Sequence, residues 1–253
     1  MRMQMPKATD DSPVLVKGLR KSFGKQTVLD GINFSVRAGE TVAVLGRSGT
    51  GKSVLLKLLI GLEKPDSGSI RILGQEIAGL DMDALNEIRK KMGFLFQQSA
   101  LYDSLSVEQN VEFPLRRHSK LAEGERKQRV RELLSNVGLE GDLKKMPSEI
   151  SGGMQKRVAL ARALALGPEV VLFDEPTTGL DPITASEIGN LIVDLQKQHH
   201  ITSVVVTHDM HAAKNFSDRM VLLNEGAIRT EGTFQDFQRS NDEFVKHYLR
   251  EAA

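Results

Sequence analysis

The strongest limit on the fold is one local stretch. Thr41-Val42-Ala43-Val44-Leu45 is short, apolar and β-branched, and it runs into Gly46-Arg47-Ser48-Gly49-Thr50-Gly51-Lys52-Ser53. An apolar helical stretch beginning Val54-Leu55-Leu56 follows. Strand, turn and helix come in that order, and the turn has the spacing G-x-x-x-x-G-K-S. Glycines let the backbone wrap closely, so consecutive N–H groups point at phosphate oxygens. The helix N-terminus adds its dipole. In such a loop Lys52 reaches β- and γ-phosphates, and the Ser53 hydroxyl is a magnesium ligand. Similar apolar runs at Met92–Phe96, Val170–Phe173 and Ser203–Val206, with a further candidate at Met220–Leu223, are separated by helical stretches. That alternation predicts an α/β fold with a mainly parallel sheet flanked by helices.

Composition narrows the function. The chain has 253 residues and a net charge of +1, so no global charge excess points to nucleic acid. Hydrophobic residues make up 40% and charged residues 26%, a globular rather than a disordered profile. Cysteine is absent, which excludes disulfides, thiolate nucleophiles and Cys-based zinc sites. Residues 1–13 read as a flexible polar tail without the apolar core of a signal peptide. The richest apolar run, Val54–Leu62, is too short and too charged to span a bilayer. A soluble chain is expected, reaching a membrane only through partners. From Val14 to Val36 the pattern predicts strands joined by a turn at Gly24-Lys25. Residues 102–168 have a helical texture, with Val130, Leu133, Leu134 and Val137 on one face, and read as a helical insert. Phe234 to Leu249 reads as one or two short helices, and 250–253 as a tail.

Two further elements carry chemistry. Val170-Val171-Leu172-Phe173 delivers Asp174 and Glu175 to a strand end. Asp174 suits a magnesium ion, directly or through water, and Glu175 suits a general base for an attacking water. Alone this pattern is weak; a phosphate loop upstream makes it strong. Ser151-Gly152-Gly153 precedes a helical stretch, Met154 to Leu166. Taken by itself it is a helix cap. In a chain that already has one phosphate loop, it also suits a nucleotide held by another subunit.

These residues together resemble the ATPase subunits of ABC transporters, over roughly Val14 to Leu249. The resemblance implies a P-loop NTPase fold with an N-terminal antiparallel β subdomain and the helical insert. It implies ATP and Mg²⁺ bound by Gly46, Arg47, Ser48, Gly49, Thr50, Gly51, Lys52, Ser53 and Val54. It places the Q-loop glutamine, a magnesium contact, at Gln97. The signature motif falls at Ser151-Gly152-Gly153-Met154-Gln155, the Walker B pair at Asp174 and Glu175, and the D-loop at Gly179-Leu180-Asp181. His208 becomes the switch histidine contacting the γ-phosphate; His199 and His200 stay solvent-facing. Phe23 stands where an aromatic residue stacks on adenine, the alternative being a core phenylalanine. Two departures are Val54, where a threonine is usual, and Met154, where a glutamine is usual.

Within the family, SGGM with KRVALARA after it, LYDSLSV, FDEPTTGLDPI and the tail DEFVKHYL resemble the MlaF-type ATPases of lipid-asymmetry and MCE-type transporters. That branch implies a homodimer of the ATPase, a transmembrane permease like MlaE, an MCE-domain protein like MlaD and lipid as cargo. It leaves room for a small regulatory subunit, involves no nucleic acid, and places the chain on the cytoplasmic face of the inner membrane. Other cargoes, such as an amino acid or a metal ion, and a non-transport ABC ATPase remain alternatives. The locally basic stretch Arg116–Glu132 fits a solvated helix face better than a lipid-facing one.

Overall fold

The computed structural model describes residues 11–251. Its strands are β1 (Val14–Phe23), β2 (Gln26–Val36), β3 (Thr41–Leu45), β4 (Ser67–Ile72), β5 (Gln75–Glu76), β6 (Met92–Leu95), β7 (Val170–Asp174), β8 (Thr202–Thr207), β9 (Arg219–Asn224) and β10 (Ala227–Gly232). Its helices are α1 (Lys52–Leu59), α2 (Met82–Arg89), α3 (Val107–His118), α4 (Glu123–Asn136), α5 (Gly152–Ala163), α6 (Pro182–His199), α7 (Met210–Phe216), α8 (Phe234–Gln238) and α9 (Glu243–Glu251). A six-stranded sheet has the order β10-β9-β3-β8-β7-β6, and a four-stranded sheet has the order β2-β1-β4-β5. In the larger sheet only the β9–β10 pair is antiparallel. The smaller sheet is wholly antiparallel.

The apolar runs become central strands because both faces of the larger sheet are covered. Side chains alternate between two cores. Val42, Val44, Val170, Leu172, Val204 and Val206 face the smaller sheet and α1. Ala43, Leu45, Val171, Phe173 and Val205 face the helical side. That second core also holds α3, α4 and α5, so the 102–168 helices share one packed interior with the sheet. Among the described residues no helix is long and apolar enough to cross a membrane.

Several boundaries differ from the sequence pattern. The Gly24-Lys25 turn closes β1 on β2 with Phe23 opposite Gln26. The strand expected over Met92–Phe96 ends at Leu95. Strands β4, β5 and β10 and helix α2 carried no clear signal. β4 is polar on alternate positions and forms only by pairing with β1, far upstream. The helix expected over Met154–Leu166 begins at Gly152, because Ser151 caps it, and ends at Ala163 before Gly167-Pro168. The C-terminal helix runs to Glu251, two residues past Leu249. The reading of residues 1–13 as a tail lies largely outside the described residues. The last of them, Pro13, is tied down: its carbonyl accepts from Leu73 N at 2.8 Å.

A buried ion network joins the two sheets at the amino end of β3. Glu40 accepts from Arg219 Nε at 2.9 Å and Nη2 at 3.2 Å, and from Arg37 N at 2.8 Å. Arg219 also reaches Glu231 at 3.3 Å and donates to the Ser35 carbonyl. Burial works against the Glu40 charge, but the bonds from Arg219 and Arg37 outweigh it and hold the carboxyl below its ordinary range. A depressed carboxyl adds stability above its unfolded value, about 4.3, and loses it as pH falls through the lower folded value. Arg219→Met should therefore cost about 3–5 kcal/mol at neutral pH. Urea unfolding from pH 7 to pH 3 should show an acid-dependent loss in the parent chain that is weaker in the variant. Equal slopes in both would dismiss the network as the source.

Candidate active site

All the parallel strands end at one edge of the sheet, and their neighbours carry the predicted residues. β3 leads into the phosphate loop, β8 into His208, β7 into Glu175, and β6 towards Gln97. A cavity of about 670 Å³ opens there. It is lined by Phe23, Arg47, Ser48, Gly49, Gly51, Lys52, Ser53, Val54, Gln97, Glu175 and His208, and also by Val28 and Tyr248. Phe23 is 45% exposed, so it is not a core residue. The hairpin that carries it places the ring at the cavity, with Lys21 Nζ 5.0 Å from its centre. Gly46, Thr50 and Asp174 are not among the lining residues; Gly46 and Asp174 touch the cavity through Lys52 and Ser53, to which they are hydrogen-bonded.

The loop needs its glycines for two different reasons. Gly51 sits at φ 100, and a Cβ there would stand 2.9 Å from the Leu29 side chain. A Cβ on Gly46 would meet Thr50 Oγ1 at 2.6 Å and the Leu223 carbonyl at 2.7 Å. Lys52 folds under the loop and donates to Gly46 O at 2.8 Å and Arg47 O at 3.1 Å. Its ammonium lies 3.8 Å from Glu175 Oε1. Burial pulls Lys52 below the usual lysine range, against the attraction of Glu175 and Asp174.

Glu175 is 8% exposed and adopts φ 48, a left-handed conformation that costs a non-glycine residue about 1–3 kcal/mol. Its N–H donates to Val206 O at 2.9 Å, so pairing with the neighbouring strand helps to hold it. Its Oε2 lies 2.9 Å from His208 Nδ1 and accepts from Thr178 Oγ1 at 3.0 Å. Carboxylate, imidazole and ammonium thus share one cavity wall, an arrangement able to take a proton from water and to neutralise a developing anion.

The residues also fit a magnesium ion. Ser53 Oγ donates to Asp174 Oδ1 at 3.2 Å, and Ser53 and Gln97 line the same cavity. Hydroxyl, carboxylate and amide oxygens are the hard donors magnesium prefers. Among the described residues no group of three or more His, Cys, Asp or Glu could cage a metal. Burial pushes the Asp174 carboxyl up, and neighbouring Glu175 adds to it; a bound cation would reverse both effects.

Ser151, Gly152 and Gly153 do not line this cavity. Ser151 Oγ accepts from Met154 N at 3.3 Å, and Gly153 packs against Thr184 of α6. Met154 packs into the helical-side core. His199 and His200 are exposed at the end of α6, as expected. Sequence reasoning missed Tyr248. Its spacing from the buried Val245 marks one face of α9, but nothing local says that this face meets the cavity.

The family model described as ABC transporter matches residues 29–178, which include the phosphate loop, Gln97, Ser151-Gly152-Gly153 and Asp174-Glu175. The chain belongs to the ABC transporter family. It is an ATP-binding subunit with the ABC ATPase fold, and its reaction is ATP hydrolysis coupled to transport. It is 44% identical over 234 residues to the "Probable ribonucleotide transport ATP-binding protein mkl" of Mycobacterium leprae (strain TN), covering 92% of this chain and 67% of that protein. It is 40% identical over 230 residues to the methionine import ATP-binding protein MetN of Brucella abortus (strain 2308), covering 91% of this chain and 62% of that protein. The chain thus spans about two thirds of the length of these curated relatives. Among solved structures it is similar to the dimeric post-hydrolysis state of the ATP-binding cassette MJ0796 bound to ADP and Pi. That match has a TM-score of 0.80 and 37% identity and covers 87% of this chain and 98% of that one. It is similar also to cbiO1 of Clostridium perfringens, part of the ABC transporter complex cbiONQ, with a TM-score of 0.84 and 33% identity over 95% of this chain and 96% of that one.

If Phe23 stacks on adenine in this ABC ATPase, Phe23→Ala should weaken ATP binding by about 1–3 kcal/mol, roughly 5- to 150-fold. Calorimetry of the full chain with ATP checks this, and an unchanged Kd removes the stacking role.

Proposed function

We propose that this chain drives a lipid transporter of the MCE type from the cytoplasmic face of a bacterial inner membrane, as one of two identical ATPase subunits. The hydrolytic part rests on one observation: Glu175 Oε2 lies 2.9 Å from His208 Nδ1, and Glu175 Oε1 lies 3.8 Å from Lys52, at the wall of the phosphate-loop cavity. ATP lies with its phosphates along Gly46–Ser53 and its adenine on Phe23. Glu175 takes the proton of the water that attacks the γ-phosphorus, the bond to the β-phosphate oxygen breaks, and ADP leaves. Lys52 and His208 offset the charge that grows on the γ-phosphoryl oxygens. Ser53, Asp174 and Gln97 would hold magnesium. Held there, magnesium would supply charge to offset the phosphate oxygens and the leaving diphosphate.

Ser151, Gly152 and Gly153 act in trans in this reading. They cap α5 away from the chain's own cavity, so a second copy placed head to tail supplies them to the γ-phosphate. Closing the pair on ATP and releasing it after hydrolysis moves a permease through the segment from Gln97 to Tyr102. The lipid assignment rests on SGGM with KRVALARA, LYDSLSV, FDEPTTGLDPI and DEFVKHYL. A second reading, import of another cargo such as an amino acid, draws on the identity to the methionine import protein.

Glu175→Gln should lower kcat by about 10²–10⁴-fold while ATP binding persists, leaving an ATP-bound dimer on size-exclusion chromatography. Wild-type turnover in that variant sinks the assignment of the base. For the cargo, the tagged complex is isolated from membranes and its proteins and lipids are identified by mass spectrometry. An MCE-domain protein with bound lipid supports the lipid reading; a soluble binding protein supports the second.

A further inference from the structure

Lys156 lies in the second turn of α5 and is 4% exposed. A buried ammonium is costly unless it is well bonded. This one donates to two main-chain carbonyls, those of Gln97 and of Glu175, the latter at 3.4 Å. The two carbonyls belong to different loops, after β6 and after β7. Both loops line the nucleotide cavity through the side chains of the same two residues.

A second cation on α5 strengthens the grip on the first loop. Arg162 donates to Ala100 O at 2.6 Å and to Ser99 O at 2.7 Å. Ser99, Ala100 and Glu175 have φ of 61, 46 and 48. Non-glycine residues persist there only when their surroundings over-determine them. Arg162 reaches only the first loop. Lys156 reaches both, and it sits on the helix that Ser151-Gly152-Gly153 begin.

We propose that Lys156 is a positioning residue for hydrolysis: by holding the Gln97 and Glu175 carbonyls on one ammonium, it binds α5, the Gln97 loop and the Glu175 backbone into one unit. Any movement of the α5 N-terminus then reaches the Glu175 carboxylate through a single side chain. Conversely, Glu175 keeps its aim only while α5 and the Gln97 loop are seated. The proposal deepens the proposed function and rests on its roles for Glu175 and Gln97.

The test uses the full chain in its membrane complex, with Lys156→Met, which keeps the stem and removes the donors. Three quantities are read: kcat and KM for Mg-ATP, the affinity for a fluorescent ATP analogue, and hydrogen exchange by mass spectrometry. Small misplacements of a reacting group are costly, so kcat should fall about tenfold or more while KM and analogue affinity stay within about twofold. Amides of residues 97–100 and 174–178 should exchange faster, while those of the α5 interior do not. Wild-type kcat, a rise in KM matching the loss of kcat, or unchanged exchange in either loop overturns the proposal. If the methionine variant does not fold, Lys156→Gln takes its place, since its amide nitrogen stands at the lysine Cε position, one bond short of where the ammonium meets the two carbonyls. A kcat above about half the parent value in the glutamine variant then overturns the proposal, and a lower kcat at unchanged KM supports it. Exchange does not depend on turnover. Faster exchange together with full activity in Glu175→Gln would refute the base assignment while leaving the Lys156 link intact.

Discussion

Parallel pairing of β3, β8, β7 and β6 is the constraint on which the rest depends. Leu45 pairs with Thr207, Asp174 with Val206, and Leu95 with Phe173, so the four strands finish nearly level. Parallel strands put all their carboxyl ends at one edge, and ligands bind in the crevice beyond them. Here that edge gathers a phosphate loop, a histidine, a carboxylate and a glutamine from widely separated stretches of chain. The two cores secure the register. A slip of one residue would send Val42 and Val44 to the helical side and Ala43 and Leu45 to the other.

Burial sets the electrostatics of that edge. It pulls Lys52 down and pushes Asp174 up, so both groups sit closer to neutrality than they would in water. Lys52 is partnered here by Gly46 O, Arg47 O and Glu175, and Asp174 by Ser53. In the proposed function a polyphosphate and a divalent cation would take over those places. Glu175 occupies a costly backbone conformation there, held by Val206 O on one side and by Lys156 on the other. At the opposite end of β3 the Glu40–Arg219 network satisfies its charges internally, as a structural pair must. One end of the strand is self-sufficient and the other is left reactive.

What was legible in the sequence was local. The 46–53 turn, the apolar strand runs and the Asp174-Glu175 pair each lie within a few residues. The turn joins β3 to α1, the pair closes β7, and the strands form to within a residue or two of the patterned bounds, β6 ending one residue early. Phe23 was ambiguous, because an aromatic residue near a turn looks alike in a core or at a cavity mouth; only the β1–β2 hairpin decided it. β4, β5 and β10 were illegible for the opposite reason. They are short, half-polar strands that exist only because a distant partner offers its edge. Tyr248 and Lys156 were hidden likewise: a tyrosine and a lysine on helices carry no sign of what they will touch.

The sequence by itself determined the α/β scaffold and the G-x-x-x-x-G-K-S turn between a strand and a helix, and it placed two carboxylates at a second strand end. Those properties follow from backbone freedom, hydrophobic periodicity and side-chain chemistry, all of which act over a few residues. Only the tertiary structure decided which groups meet. It brought Glu175 to His208 and Lys52, set Lys156 between two loops, and kept Ser151-Gly152-Gly153 apart from the chain's own cavity. The physical reason is that strand order and core packing, not proximity along the chain, set the distances between side chains.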